Sequence, residues 1–426
     1  MNQAERFSEA ESRRSGPAWL TAARRSALAR FTEVGFPTDA DEDWRFTRVD
    51  PIAKTEFGLP SAAAGAKLDV AALVLAPFPA YRLVFVDGTY APALSDLAGL
   101  PPGVRVASLA AVLKSDPALL EPRLGGAERQ AFAALNTAFF DDGAFVSVPR
   151  GVTLEKPVHA LFLSTGSPAP TMWHGRVVVS AEAGSKLALV EEYVGAGPGT
   201  YFANLVTDLA LGEDASVEHV KVQHEGEQAL HVATLRARQE RHSRFTAHSV
   251  SLGAALSRND LSVTLAGEGA ECSLDGLYQV GGRQHADFHT VVDHAAAHCT
   301  SRELFKGVLD GRSRAVFNGM IVVQPGAQKT SASVYNKNLV LSEHSVINTK
   351  PEFKIHANDV QCKHGATVGQ LSDAALFYLR SRGIGAAEAR RLLVYAFARE
   401  MVEKLPVESL REALSVKLSE SLGAGG

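Results

Sequence analysis

Cysteine is scarce in this sequence of 426 residues, which contains only Cys272, Cys299 and Cys362. Three widely spaced thiols do not make a disulfide framework. They fit a reducing compartment, in which thiols stay free for metal or redox chemistry.

The sequence also lacks an excess of positive charge and a long apolar segment. Its formal net charge is −4, whereas a nucleic-acid-binding protein usually has a basic face or a basic total. The N-terminal segment MNQAERFSEAESRRS has no apolar region of the kind found in secretory signals. No run of about 18 apolar residues that could form a transmembrane helix occurs either. We therefore expect a cytoplasmic protein that binds neither nucleic acid nor membranes.

Motifs of several large enzyme classes are absent as well. There is no G-x-x-x-x-G-K-[ST] phosphate loop, and the nearest segment, Gly326–Thr330, lacks the required glycine spacing. The sequence contains no G-x-G-x-x-G that opens a helix after a strand, no G-x-S-x-G, no H-E-x-x-H and no C-x-x-C. The chain is therefore not expected to hydrolyse ATP by itself.

Helical periodicity is confined to the two ends of the chain. Near the N-terminus, apolar residues recur at spacings of three and four after Pro17 and stop at Gly35. Towards the C-terminus the pattern predicts three helices, with Ser372 as the N-cap of the first and Pro406 as the stop of the second. Their predicted ranges are Asp373–Arg382, Ala386–Leu405 and Val407–Leu422.

The middle of the chain has a different pattern. From about Ala144 to Val360, short runs rich in Val, Leu, Phe and Thr alternate with Gly, Asp, Asn and Ser, which is typical of strands and tight turns. A small residue precedes a strand at Ser185, Ala215, Ser243 and Ala270, with gaps of 30, 28 and 27 residues, and then less regularly at Ser313 and Ser345. A period of about 28 residues favours a β-solenoid with small residues inside, although the two sheets of a sandwich would contain similar strands.

These patterns predict four parts of the chain. They are an N-terminal helical domain over residues 1–80, a mixed α/β lead-in over 81–143, a solenoid core over 144–368 and a C-terminal helical domain over 369–426. Apolar stripes run along the last two predicted helices and include Leu392, Phe397, Met401, Leu410 and Leu414. On the sequence alone, packing within the chain and binding of a partner explain these stripes equally well.

Cys362-Lys363-His364 is the strongest candidate for metal chemistry. Positions i and i+2 of a strand face the same side, so the thiolate and the imidazole would lie side by side. Both are ligands for zinc or iron, but two ligands are half of a four-coordinate site. Either the remaining ligands come from elsewhere, or the motif is a half-buried cysteine beside a histidine that hydrogen bonds hold in place.

A second group of histidines surrounds Cys299. The segment Asp293–Cys299 reads DHAAAHC, and His285 and His289 lie just upstream. In an extended chain His294 and His298 would face one way and Cys299 the other. Alanine-rich turns that carry histidines are usually structural, so we interpret this group as structural rather than as a metal site.

Several longer segments resemble one protein family. The sequence after Asp293 includes DHAAAHCTSRELFKGVLDGRSRAVFNGMIVV, NKNLVLSE, KPEF and DVQCKHGATVGQL, and the earlier segments EDWRFT and FVDG fit as well. They are similar to the family of SufB and SufD scaffolds of the Suf iron–sulfur cluster assembly machinery. The run Gly365–Leu371 and the absence of cysteine before Cys272 favour the SufD branch.

The resemblance implies a mainly β fold, a right-handed parallel β-helix with helical domains at both ends. It also implies a cytosolic, non-catalytic scaffold that pairs with a SufB-type paralogue and carries a SufC-type ATPase on its C-terminal helical domain. The stripe residues Leu392, Phe397, Met401, Leu410 and Leu414 would then bind that ATPase. His364, with Cys362 as a secondary candidate, would lie at the paralogue interface and help to hold a nascent iron–sulfur cluster that the partner chain completes.

Other features of the complex stay open at this point. We expect no stably bound cofactor in the isolated chain, and the sequence does not show whether the complex binds flavin or whether the isolated chain forms a homodimer. A β-helix enzyme acting on carbohydrates is the competing hypothesis, and it requires a groove with paired carboxylates. A purely structural interaction protein is the third, and in it Cys362 and His364 would be inert.

Overall fold

The computed structural model describes residues 16–60, 68–124, 128 and 130–421 of the chain. Its strands are β1 Tyr81–Val86, β2 Thr89–Tyr90, β3 Arg105–Ser108, β4 Asp142–Val148, β5 Val158–Ser164, β6 Thr171–Ala181, β7 Lys186–Gly195, β8 Tyr201–Leu211, β9 Ser216–His224, β10 Ala229–Gln239, β11 Arg244–Ser251, β12 Leu256–Leu265, β13 Glu271–Val280, β14 His285–His294, β15 Thr300–Leu309, β16 Arg314–Val323, β17 Ser331–Val340, β18 Val346–Ile355 and β19 Gln361–Gly369. Its α-helices are α1 Ala18–Val34, α2 Asp50–Ala53, α3 Val70–Leu73, α4 Leu109–Ser115, α5 Glu121–Leu124, α6 Ala131–Phe139, α7 Asp373–Ser381, α8 Ala386–Val402 and α9 Glu408–Ser421.

Successive strands alternate between two sheets, which makes the core a parallel β-helix. The first sheet has the order β19-β17-β15-β13-β11-β9-β7-β5-β1-β2, and the second has the order β18-β16-β14-β12-β10-β8-β6-β4-β3. Apart from β1 with β2 and β3 with β4, all neighbouring strands are parallel. This confirms the predicted solenoid and excludes the antiparallel sandwich.

The spacing of the coils agrees with the period of small residues, with one difference. The first four predicted positions are buried and come directly before β7, β9, β11 and β13. In the next two coils of the first sheet the same position is taken by the buried residues Cys299 and Thr330. Ser313 and Ser345 precede β16 and β18, so they belong to the second sheet. The prediction missed this because cysteine and threonine fill the same small space as serine and alanine.

The lead-in segment contributes strands to both sheets. β1 extends the first sheet by pairing in parallel with β5. Asp87 and Gly88 link β1 to β2 with φ angles of 47° and 79°, the left-handed conformation of a two-residue hairpin turn. β3 pairs in antiparallel with β4 and is followed directly by α4.

The N-terminal motif EDWRFT fastens the first helical segment to the outer face of the second sheet. The guanidinium of Arg258 lies 4.2 Å from the centroid of the Trp44 ring and donates a hydrogen bond to the backbone carbonyl of Asp43 at 2.8 Å. Thr47 donates from its hydroxyl to Asp287 at 2.5 Å. Burial would raise the pKa of Asp287, but the adjacent charge of Arg258 holds it well below its usual value. The motif is therefore an anchor between the N-terminal region and the solenoid.

The C-terminal helices fold back onto the outer face of the first sheet. The hydroxyl of Ser372 caps α7 by accepting from the amide of Ala375 at 3.3 Å, as predicted. Lys306 of β15 donates to the Phe397 carbonyl at 2.8 Å, and Lys404 pairs with Asp275 of β13 at 2.6 Å. No helix in the described part of the chain is both long enough and apolar enough to cross a bilayer.

A polar ring that no sequence pattern indicated lies inside the solenoid. The ammonium of Lys221 contacts His231 at 2.8 Å and Asn259 at 2.5 Å. Hydrogen bonds and the close contact of His231 with Glu225 complete the ring through buried side chains of both sheets, in the order Lys221, His231, Glu225, Gln223, Ser251, Ser257 and Asn259. Burial lowers the pKa of Lys221 to about 8 even though Glu191 and Glu225 oppose the shift. These contacts satisfy charged groups that would otherwise be costly to bury.

Because Glu303 is buried, the stability of the folded chain should depend on pH. Burial raises its pKa to about 8 from 4.5, and the Thr290 hydroxyl offsets this only in part. Because the folded state binds this proton more tightly than the unfolded state, the free energy of unfolding should fall between pH about 4.5 and about 8. We expect Glu303→Gln to reduce that fall by about 2–4 kcal/mol in denaturant titrations across this range. Glu218→Gln, at an exposed position of β9, should leave the fall in the free energy of unfolding unchanged. An equal fall in both variants would contradict the role of Glu303.

Position 307 lies in the core where there is no space for a side chain larger than that of glycine. The Tyr278 side chain passes over this glycine to donate to the side-chain oxygen of Asn338 at 2.5 Å. A Cβ at position 307 would lie 2.1 Å from the Tyr278 ring, so we expect Gly307→Ala to lower the free energy of unfolding by about 1–3 kcal/mol or more. Gly281→Ala, which faces open space, is the control for thermal and denaturant unfolding. Equal stability of the two variants would contradict the packing argument.

Candidate functional site at the open end of the solenoid

The last coil of the solenoid is formed by β18 and β19. Within the described residues each of these strands pairs with one neighbour only, β16 and β17 respectively. Every residue of the two strands is exposed or half-buried, whereas the strands of inner coils alternate with fully buried positions. The solenoid therefore ends in an open coil with unpaired backbone groups along its outer edges.

Cys362 and His364 share the inner face of this open coil. In the parallel register they lie over Ala332 and Val334, both of which are buried in the preceding coil. The shared face predicted for the C-x-H motif is therefore present. Cys362 is half-buried and packs against the core, whereas His364 is exposed at the end of the solenoid.

Burial affects the chemistry of the Cys362 thiol. It raises the pKa of Cys362 above its usual value, so the thiol stays protonated near neutral pH. The thiolate is the form that binds metals, and a metal ion must displace this proton before the sulfur can act as a ligand. Binding of a metal ion by Cys362 would therefore release a proton.

The ring of His364 is held by an aromatic stack rather than by hydrogen bonds. Its centroid lies 4.7 Å from that of Phe353 on β18, with an angle of 16° between the ring planes. Neither ring nitrogen forms a hydrogen bond within the described part of the chain. The alternative interpretation of the motif, a histidine fixed by hydrogen bonds, therefore does not describe this side chain. Both nitrogens are available to a ligand from outside.

The histidines at positions 285–298 and Cys299 do not gather around a single point. His285 contacts the Thr47 hydroxyl at 2.9 Å on the outer face of the second sheet, whereas His294 lies inside and contacts Ser301 at 2.8 Å. Burial lowers the pKa of His294 to about 4. The extended conformation assumed for His294–Cys299 is wrong, because β14 ends at His294 and His298 has a φ of 59° in the following turn.

Metal-binding side chains are correspondingly sparse. Across residues 16–60, 68–124, 128 and 130–421, no three His, Cys, Asp or Glu side chains are placed so that they could hold one metal ion. Cys362 and His364 thus offer two donors at the open end of the solenoid. A four-coordinate site built there requires two ligands beyond these side chains.

The apolar stripes of the last two helices are mostly covered by the solenoid. Met401, Leu410 and Leu414, which were predicted to bind a partner, are buried against the outer face of the first sheet. Phe397 is half-buried, and Lys306 lies 4.7 Å from its ring centroid. The stripe on α9 therefore serves packing within the chain, one of the two explanations left open by the sequence; Leu422 at its end lies outside the described residues.

Other apolar side chains of the C-terminal domain are exposed. Phe377 and Tyr378 of α7 are 75 % and 58 % exposed, and Leu392 of α8 is 40 % exposed. The guanidinium of Arg382 lies 5.3 Å from the Tyr378 ring centroid. We call Phe377, Tyr378 and Leu392 the exposed helical patch. Sequence periodicity missed its first two members because adjacent residues on a short helix do not form a stripe.

A groove of about 650 Å³ bears on the hypothesis of a carbohydrate-active enzyme. It lies between the N-terminal anchor and the outer face of the second sheet, and Trp44, Asp260 and Glu352 are among its lining residues. Asp260 is bound by Arg258 at 2.6 Å, and Glu352 is bound by Lys350 at 2.8 Å. These two carboxylates are engaged in ion pairs, whereas glycoside hydrolysis uses one carboxyl group as an acid and a second as a base or nucleophile.

Comparisons with known proteins agree with the segments that suggested a family. A family model described as "SUF system FeS cluster assembly, SufBD core domain" matches residues 162–397, and one described as "SufBD protein N-terminal region" matches residues 6–160. An iron–sulfur cluster assembly SufBD family protein of Synechocystis is 35 % identical over 92 % of this chain and 88 % of its own length. The iron–sulfur cluster assembly proteins SufD of Escherichia coli and Bacillus subtilis are 29 % and 28 % identical, over 93 % and 67 % of this chain and 92 % and 66 % of their own lengths. The chain therefore belongs to the SufBD family of iron–sulfur cluster assembly proteins and is of the SufD type.

Proposed function

We propose that this chain is a non-catalytic, cytosolic scaffold subunit that pairs with a SufB-type paralogue through the open end of its solenoid. The observation that carries the proposal is the last coil, in which each of two strands pairs on one side only within the described residues and Cys362 and His364 share one strand face. An unpaired strand edge binds a second chain readily, because its backbone groups are already aligned for pairing. In the absence of the paralogue, a second copy of this chain would fit the same edge.

The paired scaffold would assemble an iron–sulfur cluster at this end. The imidazole of His364 and the thiolate of Cys362 are competent ligands for iron, and the partner chain would supply the rest. The cluster is the cargo of the complex, so the isolated chain should bind iron weakly and the paired scaffold should bind it more tightly. No residue of this chain is assigned to flavin.

The C-terminal helical domain would carry a SufC-type ATPase. The chain has no phosphate loop of its own, so energy from ATP must come from a separate subunit. The exposed helical patch is available to such a partner, whereas Met401, Leu410 and Leu414 are covered by the first sheet. Exposed aromatic side chains on a helix are common anchors of protein interfaces.

His364→Ala tests the cluster site. The ring is exposed, so its removal should lower the free energy of unfolding by only about 1 kcal/mol. We expect the mutant chain to assemble with its paralogue and the ATPase but to fail in cluster reconstitution, measured by absorbance and iron content. Cys362→Ser should cause a smaller loss, and Lys363→Ala, whose side chain faces outward between them, should cause none. Normal cluster formation by His364→Ala would remove the basis for a shared site.

A double substitution, Phe377→Ala with Tyr378→Ala, tests the ATPase docking surface. Loss of two exposed aromatic anchors should weaken binding of the ATPase at least about tenfold in calorimetry or pull-down assays. Point substitutions are preferable to deletion of α8 and α9, because those helices cover the outer face of the first sheet. Val346→Ala, an exposed apolar position on β18, is the control. Unchanged affinity in the double mutant would place the docking surface elsewhere.

A further inference from the structure

Phe353 occupies the position opposite His364 in the open coil. It lies on β18, the last strand of the second sheet, whereas His364 lies on β19, the last strand of the first sheet. Phe353 is half-buried, pairs in register with Ile321 and packs against the core between the sheets. The stack at 4.7 Å therefore joins the two sheets at the end of the solenoid.

The surroundings of the imidazole leave Phe353 as its principal support. The χ2 torsion of histidine is broad, so a strand position alone does not determine where the ring nitrogens point. Val334 lies beneath His364 in the preceding coil and closes the inward direction. With no hydrogen bond to the ring within the described chain, the face-to-face contact with Phe353 is what selects one ring plane.

We propose that Phe353 is a positioning residue, which holds the imidazole of His364 in the plane that presents a ring nitrogen to the open end of the solenoid. The inference rests on the proposed role of His364 as a ligand of the nascent cluster. A ligand that is already oriented loses less conformational freedom when it binds, and misplacement of a reacting group by about 1 Å can cost about a hundredfold in rate. Phe353 itself does not touch iron in this proposal.

Three substitutions separate stacking from simple packing. Phe353→Tyr keeps a ring over the imidazole and should behave like the native chain. Phe353→Leu keeps an apolar side chain between the sheets but removes the ring. Ile355→Ala, two residues further along the same strand and 40 % exposed, is a matched control for loss of an apolar group at this end.

The first measurement needs neither partner nor iron. In the full chain with labelled histidine rings, the His364 resonances are assigned by their loss in His364→Gln. We expect Phe353→Leu to shift these resonances downfield, because the shielding by the stacked ring is lost. The imidazole should also sample a wider range of orientations, because the stack no longer holds it. Phe353→Tyr and Ile355→Ala should leave them in place. Unchanged His364 resonances in Phe353→Leu would overturn the inference whatever the fate of the proposed function.

The second measurement is the initial rate of cluster formation in the reconstituted complex. We expect Phe353→Leu to lower the rate about tenfold or more, with Phe353→Tyr restoring it. A normal rate in Phe353→Leu, when His364→Ala is inactive, would overturn the positioning role and leave the proposed function intact. Normal rates in both would overturn the two together. Should Phe353→Leu fail to fold, the same comparison is made with Phe353→Met, which fills the space without a ring.

Discussion

Parallel pairing between successive coils is the constraint on which this structure depends. Each strand of an inner coil satisfies its backbone groups on both sides, and the register repeats every 27 to 31 residues along the first sheet from β9 to β17. A stack of coils must end, and its last coil has no further strand to pair with. The position of the candidate site therefore follows from the architecture, because β18 and β19 have both free edges and uncovered inner side chains.

The two faces of the first sheet have unusual polarity. Along β9 the inward positions 217, 219, 221 and 223 are Val, His, Lys and Gln, whereas Val220 and Val222 face outward beneath the C-terminal helices. The outer face is apolar because α8 and α9 cover it, and the interior tolerates Lys221 because the polar ring satisfies its charge. Buried polar groups of this kind are stable only when each finds its partners.

Much of the fold was predictable from local chemistry, and the candidate site only in part. The turn positions before the strands, the cap at Ser372 and the stop at Gly35 depend on neighbouring residues, so periodicity found them. The shared face of Cys362 and His364 followed from strand geometry. The stack of His364 on Phe353 joins different sheets across ten intervening residues, and no local pattern encodes such a contact. The buried state of Met401, Leu410 and Leu414 was likewise undetermined, since a stripe has the same form whether a sheet or a partner covers it.

The sequence by itself determined that a coil-forming core lies between two helical regions, and that a thiol and an imidazole share one strand face. These features depend on periods of two, of 3.6 and of about 28 residues, which are properties of the chain as written. Only the tertiary structure decided which face of the first sheet is inside and which helical side chains stay exposed. Those outcomes depend on contacts between residues far apart in sequence, such as Lys404 with Asp275, and become fixed when the coils stack and the helices pack against them.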